Sequence, residues 1–250
     1  MHSDTPLLIM ADIPETYCLH DLILTGQASK IIKLIQPVHQ DHDRLHAVIG
    51  GMEFILTQHS AEVMHRDFLT EDMQSIFYDR SETALSSIGI SLSDHIKPAQ
   101  QNATINRAML QLAKYVGQSV EAASVIWRPA ALQIGFNYFV GATDHYVVGG
   151  PFPVLAQIAI SETSEGNFQT SGLSYFADQE IKIGAPSGYA PNEVVKRLVR
   201  VAHEIATNGK INEIMVIEGF VEGEKLSIMP DTNCKIVDVA IIPYEPRQLQ

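Results

Sequence analysis

The sequence predicts an α+β fold, a mixed β-sheet covered by helices and built as two α/β lobes, and three observations carry that prediction. Two segments, Pro98–Val116 and Pro191–Asn208, repeat apolar residues at helical spacing. Short β-branched and aromatic runs, bounded by glycine and proline, recur through the rest of the chain. Of 250 residues, 46% are hydrophobic and only 18% charged, below the ~25% usual for globular domains, so the chain is built to bury itself.

Taken in chain order, Leu7–Ile13 is the first strand candidate. Tyr17–Leu24 fits helix or strand, and Lys30–Ile35 has helical spacing. Leu45–Ile49 and Glu53–Thr57 flank Gly50-Gly51, a pair suited to the positive φ angles of a two-residue hairpin turn. Leu85–Leu92 feeds the first long helix, whose stripe is Ile105, Ala108, Met109, Leu112 and Val116, with Gly117 as its expected stop. Ala122–Trp127 follows as a buried strand, giving a strand–helix–strand unit. Leu132–Val140 is apolar nearly all round, and its length favours a buried helix over a strand.

Strands are then expected at Val154–Ile160, Glu180–Ile183, Lys225–Ile228 and Lys235–Ile242. Between the second and third of these lies the clearest element. Pro191 suits a first helical turn, Val194, Val195, Leu198, Val201, Ala202 and Ile205 share a face, and Gly209 ends the helix. Lys196, Arg197 and Arg200, interrupted by Glu193 and Glu204, read as its solvated face. The Gly149-Gly150-Pro151-Phe152-Pro153 cluster divides an N-terminal lobe, 1–148, from a C-terminal lobe, 149–250. Two lobes sharing one sheet are expected.

Charge and composition exclude several function classes. A net charge of −12, from 29 acidic against 17 basic residues, is the wrong sign for displacing counterions from nucleic acid. No apolar stretch approaches the ~18 residues that span a bilayer, and no basic leader precedes Leu7–Ala11, so a cytoplasmic protein is expected. Cys18 and Cys234, at opposite ends of the chain, read as buried reduced thiols.

The densest ligand-like cluster is His39-Gln40-Asp41-His42-Asp43-Arg44-Leu45-His46, whose imidazoles and carboxylates are of the types that hold divalent transition metals. It overlaps the H-x-H-x-D-H pattern of the metallo-β-lactamase superfamily at His39, Asp41 and His42. Pro37 stands where that pattern needs its first histidine. Gly172-Leu173-Ser174-Tyr175-Phe176 departs from the nucleophile elbow G-x-S-x-G, because Phe176 replaces the glycine that the sharp turn requires. Trp127 and Arg128, with Tyr175 and Glu180, are the candidate ligand-binding residues. For Trp127 the competing role is a core plug.

The order of Ala122–Trp127, the aromatic segment to Phe139, the strand from Val154, and then Thr170-Ser171-Gly172-Leu173 through Glu180 resembles the family catalogued as domain of unknown function 4261. The likeness includes a helix ending in an Asn208-Gly209 turn and departs at Ala177, where the family pattern has glycine. What the resemblance implies is a packing and turn signature. The family brings no established activity.

Two functional expectations follow. The first is a non-enzymatic protein-interaction module, its acidic surface suited to a basic protein partner, with no cofactor or metal. The alternative is a metal-assisted hydrolase using His39 and His42 with Asp41 or Asp43.

Overall fold

The structure, a computed structural model, describes residues 5–14, 19, 28–35, 44–70, 72–79, 85–186 and 188–243. The chain divides into two units, 1–156 and 157–250. Their strands form two separate sheets, so the expectation of one shared sheet is overturned.

In chain order the first unit contains β1 (Leu7–Ala11), α1 (Ala28–Ile31), β2 (Ile32–Ile35), β3 (Arg44–Ile49), β4 (Met52–His59), α2 (Ala61–Asp67), β5 (Gln74–Ile76), β6 (Ser86–Leu92), α3 (Ala103–Ser119), β7 (Ser124–Trp127), β8 (Leu132–Gly135) and α4 (Phe136–Val147). Its eight strands run in the order β2-β3-β4-β6-β1-β7-β8-β5. The β3–β4 hairpin turns at Gly50 and Gly51, with φ of +57° and +80°. β6 and β7 are both antiparallel to β1, which lies between them, so the expected strand–helix–strand unit is a parallel crossover with a strand inserted.

Every residue of β1 is buried, because both faces of this sheet are covered. Leu8 and Met10 pack with Met64 of α2, with Phe68 at its C-terminal cap and with Ile126. Leu7 and Ile9 point to the opposite face, where α3 lies against β1 and β4. A continuous apolar run is the signature of such a doubly covered strand.

Three elements of the first unit differ from expectation. Lys30–Ile35 is a helical turn that passes directly into β2. Leu132–Val140 is a strand followed by a helix, the two meeting at Gly135. α3 begins four residues after Ala99 of a separate 3-10 turn, is capped by the Asn102 side chain accepting from the Thr104 N–H at 2.8 Å, and runs through Gly117 to Ser119.

The short helix α5 (Val154–Gln157) leads into the second unit, so Val154–Ile160 is not one strand. Ala156 donates to the Pro153 carbonyl, closing a helical turn that proline pre-sets. There follow β9 (Ala159–Glu162), β10 (Phe168–Ser171), α6 (Ser174–Ala177), β11 (Glu180–Ile183), α7 (Pro191–Asn208), β12 (Met215–Glu218), β13 (Lys225–Pro230) and β14 (Ile236–Ile242). The sheet order is β12-β13-β14-β11-β10-β9, with β11 and β14 parallel. α7, matching its expected bounds, packs its apolar stripe on β10 and β11. No helix among the described residues is long and apolar enough to cross a membrane.

Candidate interaction surface

The turn from β10 into α6 is held by one carboxylate. Gly172 takes φ of +96°, a left-handed conformation that glycine adopts without a side-chain clash. Glu180 Oε1 accepts the N–H groups of Gly172 and Ser174, each at 2.9 Å. Its Oε2 accepts the Thr170 hydroxyl at 2.7 Å and the Leu173 N–H at 3.3 Å. Thr170 Oγ1 in turn accepts from Ile181 N–H at 2.8 Å. A carboxylate is acceptor-only, and these four donors engage both of its oxygens. The Thr-x-Gly-Leu and glutamate spacing is thus a turn clamp. Tyr175, beside it, is pushed up to about 12 by burial and meets Phe176 edge-on at 5.1 Å.

A second clamp corrects the sequence reading of α7. Arg197 is not on a solvated face: only 2% of it is exposed. Its Nε donates to Glu224 Oε1 at 2.7 Å and its Nη2 to Glu224 Oε2, a two-point pair with a carboxylate that is itself 1% exposed. Nη1 donates to the Glu193 carbonyl at 2.7 Å, and the guanidinium lies over the Tyr189 ring. The pairing holds Glu224 below the usual carboxylate range and raises Arg197 further.

The loop over this pair is correspondingly fixed. Gly219 donates to the Glu224 carbonyl at 2.8 Å and accepts from Arg200 at 3.1 Å, while Phe220 N–H reaches Glu224 Oε1 at 3.3 Å. A Cβ at position 219 would sit 2.2 Å from Glu224 Oε1, so only glycine lets the chain pass so closely. Phe220, 54% exposed, is stacked by both Arg197 and Arg200. Val221 beside it is also exposed.

This loop adjoins the uncovered face of the second sheet. Cross-strand register places Glu218, Lys225 and Ile242 in one row and Val216, Ser227 and Ala240 in the next. Met229, Asp238 and Lys182 form a third row. Burial along β14 alternates strictly, with Val237, Val239 and Ile241 inside and Ile236, Asp238, Ala240 and Ile242 outside. The result is an exposed, largely apolar strip interrupted by Asp238 and edged with charge, and its acidic end is β12 and its flanks, where Glu213 before the strand, Glu218 within it and Glu222 after it are exposed.

The remaining sequence candidates lie elsewhere. Trp127 and Arg128 belong to the first unit, whereas Tyr175 and Glu180 belong to the second. Trp127 is 1% exposed, inside the core. Arg128 donates to the Thr5 carbonyl at 3.1 Å and stacks on Phe68 at 4.8 Å, and burial lowers its pKa. His39, Asp41, His42 and Asp43, like Cys18, lie outside the described residues. Among the described residues no group of three or more His, Cys, Asp or Glu is placed to hold a metal.

Ser93, His95 and Glu53 do come together. The Ser93 hydroxyl (3.0 Å) and the Glu53 carboxylate (3.5 Å) meet the same ring nitrogen, His95 Nδ1. A nucleophilic relay needs serine and acid on different nitrogens of the imidazole, so this trio does not activate its serine.

No protein-family model, curated protein or solved structure matches the chain. The features that sequence reasoning missed are β12, the Phe220 loop and the burial of Arg197. One signal was available: apart from Asp238, Ile236–Ile242 is apolar on both strand faces, more than a sheet covered on one face can bury.

Proposed function

We propose that this protein is a non-catalytic interaction module that docks a basic protein partner on the uncovered sheet face and the Phe220 loop of its second unit. The observation that carries this reading is the outward row of β14 and its neighbours: Ile236, Ala240 and Ile242 are exposed, with Asp238 as the one charge among them, and Met229 and Val216 are exposed on the adjoining strands of the same face. Contiguous exposed apolar surface rimmed by polar groups is the mark of an interaction site. A rigidly held, half-exposed aromatic such as Phe220 has the character of a binding anchor. The net charge of −12 supplies the sign of the partner by steering cations toward the surface. The Thr170–Glu180 segment, on which the resemblance to the family of domain of unknown function 4261 rests, forms a turn clamp in this chain, a packing role compatible with such a module.

The test uses a short lysine-rich peptide and amide hydrogen exchange on the whole chain. Added protection concentrated in β12–β14 and the 219–224 loop at low salt, lost at high salt, is the expected result. Protection confined to the first unit, or equal protection by a glutamate-rich peptide, overturns the reading.

A further inference from the structure

β12 terminates the second sheet: β13 pairs with one of its edges, and no strand lies beside the other among the described residues. The ladder fixes which backbone groups face out. Gly219 donates inward to the Glu224 carbonyl at 2.8 Å. Inward and outward residues alternate along an antiparallel ladder, so Ile217 and Met215 also bond inward to β13. Val216 and Glu218 therefore turn their N–H and C=O groups outward, while their side chains stand on the exposed face. That is an unpaired template for another strand.

Charge decides what kind of strand fits. Exposed Glu213 lies before β12 and exposed Glu222 beyond it, with apolar Ile214 and Val216 and acidic Glu218 between. At the start of β12 there is an open depression of about 440 Å³, with Glu204, Asn208, Glu213 and Met215 among its walls. Lys210, also in that wall, is drawn to Asp178 at 3.3 Å. A second copy of the chain is disfavoured, because edge-to-edge pairing would lay two acidic segments, each carrying Glu213, Glu218 and Glu222, alongside one another.

We infer that β12 accepts an extended segment of a basic protein as an added antiparallel strand. An apolar side chain lies beside Val216, and lysine or arginine lies beside Glu218 and in the depression near Glu213. This rests on the interaction-module reading above and gives it a mode: main-chain hydrogen bonds supply affinity, and alternate side chains supply specificity.

The probe is a synthetic peptide repeating Lys-Thr-Val-Thr, which presents lysine and valine alternately on one face. Its counterpart is N-methylated on alternate amides, so charge and side chains are kept while the donors facing the edge are lost. The unmodified peptide is expected to bind the full chain and to protect the amides of Val216 and Glu218 from hydrogen exchange. N-methylation should weaken binding about tenfold or more, as removing a pair of hydrogen bonds does. Val216→Pro deletes an outward N–H and no inward one, a placement that edge strands tolerate, and should cause a comparable loss with unchanged circular dichroism. Should that variant misfold, the two peptides on the unaltered chain decide.

Equal binding of both peptides sinks strand addition and leaves the basic-partner reading standing. Failure of both peptides to bind at low salt sinks both. A concentration-dependent dimer abolished by Val216→Pro assigns the edge to a second copy and overturns the inference.

Discussion

β1 of the first sheet and β14 of the second are both rich in apolar residues, Leu-Leu-Ile-Met-Ala against Ile-Val-Asp-Val-Ala-Ile-Ile, yet the fold treats them differently. β1 is buried on both faces, under α2 and α3. β14 is buried on alternate residues only, and its outward isoleucines stay exposed. The first unit is held by apolar packing, and its buried polar residues among those described carry no formal charge apart from what His59 gains on protonation. The second unit buries a charged pair, Arg197 with Glu224, and gathers four donors onto Glu180. The difference shows how a sheet can leave one face open and still keep its rim in a fixed shape: charge-assisted clamps hold the loops where a second packed layer would otherwise do so.

The largest effect is expected at the buried pair. Glu224→Ala leaves the Arg197 guanidinium buried without its carboxylate, and breaking such a pair costs about 3–5 kcal/mol in urea denaturation followed by circular dichroism. Replacing both partners, Arg197→Met with Glu224→Leu, should recover much of that loss, because no uncompensated charge remains. The same pair has a pH signature. Arg197 depresses the Glu224 pKa in the folded protein, so the unfolded chain binds the proton more readily. Its stabilisation is complete above the ordinary carboxyl value, about 4.3, and is lost as pH falls through the depressed folded value. Stability of Glu224→Ala should therefore fall less steeply on acidification. An unchanged slope would mean that the pair is not what fixes the loop.

Next comes the doubly covered strand. Leu8→Ala opens a cavity between Met64, Phe68 and Ile126 and should cost about 2–5 kcal/mol in the same assay. A cost near zero would show that α2 does not seal this face, and the contrast between the two sheets would collapse.

Much of this was legible in the residues. Pro191–Asn208 was readable to the residue because a proline start, an apolar stripe and a glycine stop all agree, and the Gly50-Gly51 hairpin followed from turn chemistry alone. Where local signals conflict the reading failed. Leu132–Val140 is apolar nearly all round, so period could not divide it, whereas the structure changes state at Gly135. Arg197 flanks the apolar stripe, three residues after Val194 and four before Val201, and its charge made it read as part of the polar face. Its burial depends on Glu224, 27 residues away, and no local pattern records that distance. The Glu180 clamp was visible as a spacing without a reason, since the reason is three backbone N–H groups and a hydroxyl converging only once the turn forms.

The smallest effect on stability is the most informative about function. Ile242 is 46% exposed on the outward row shared with Lys225 and Glu218. Ile242→Thr keeps a β-branched side chain, so strand preference is preserved, and an exposed change of this kind should alter stability by no more than about 0.5 kcal/mol. If the outward row of β14 is a docking strip, the ethyl group that the threonine hydroxyl replaces is one a partner lying on that face would have buried. At about 0.8 kcal/mol per carbon, affinity for the short lysine-rich peptide should fall about tenfold or more, whereas binding of the Lys-Thr-Val-Thr peptide, held along the outer edge of β12 with β13 between that strand and β14, should be unchanged. Leu8→Ala and Ile242→Thr then separate cleanly, one moving the denaturation midpoint and the other the binding isotherm. A stability loss at Ile242 as large as that at Leu8 would instead reveal a covered face, and the isoleucines of β14 would be ordinary core residues with no partner to meet.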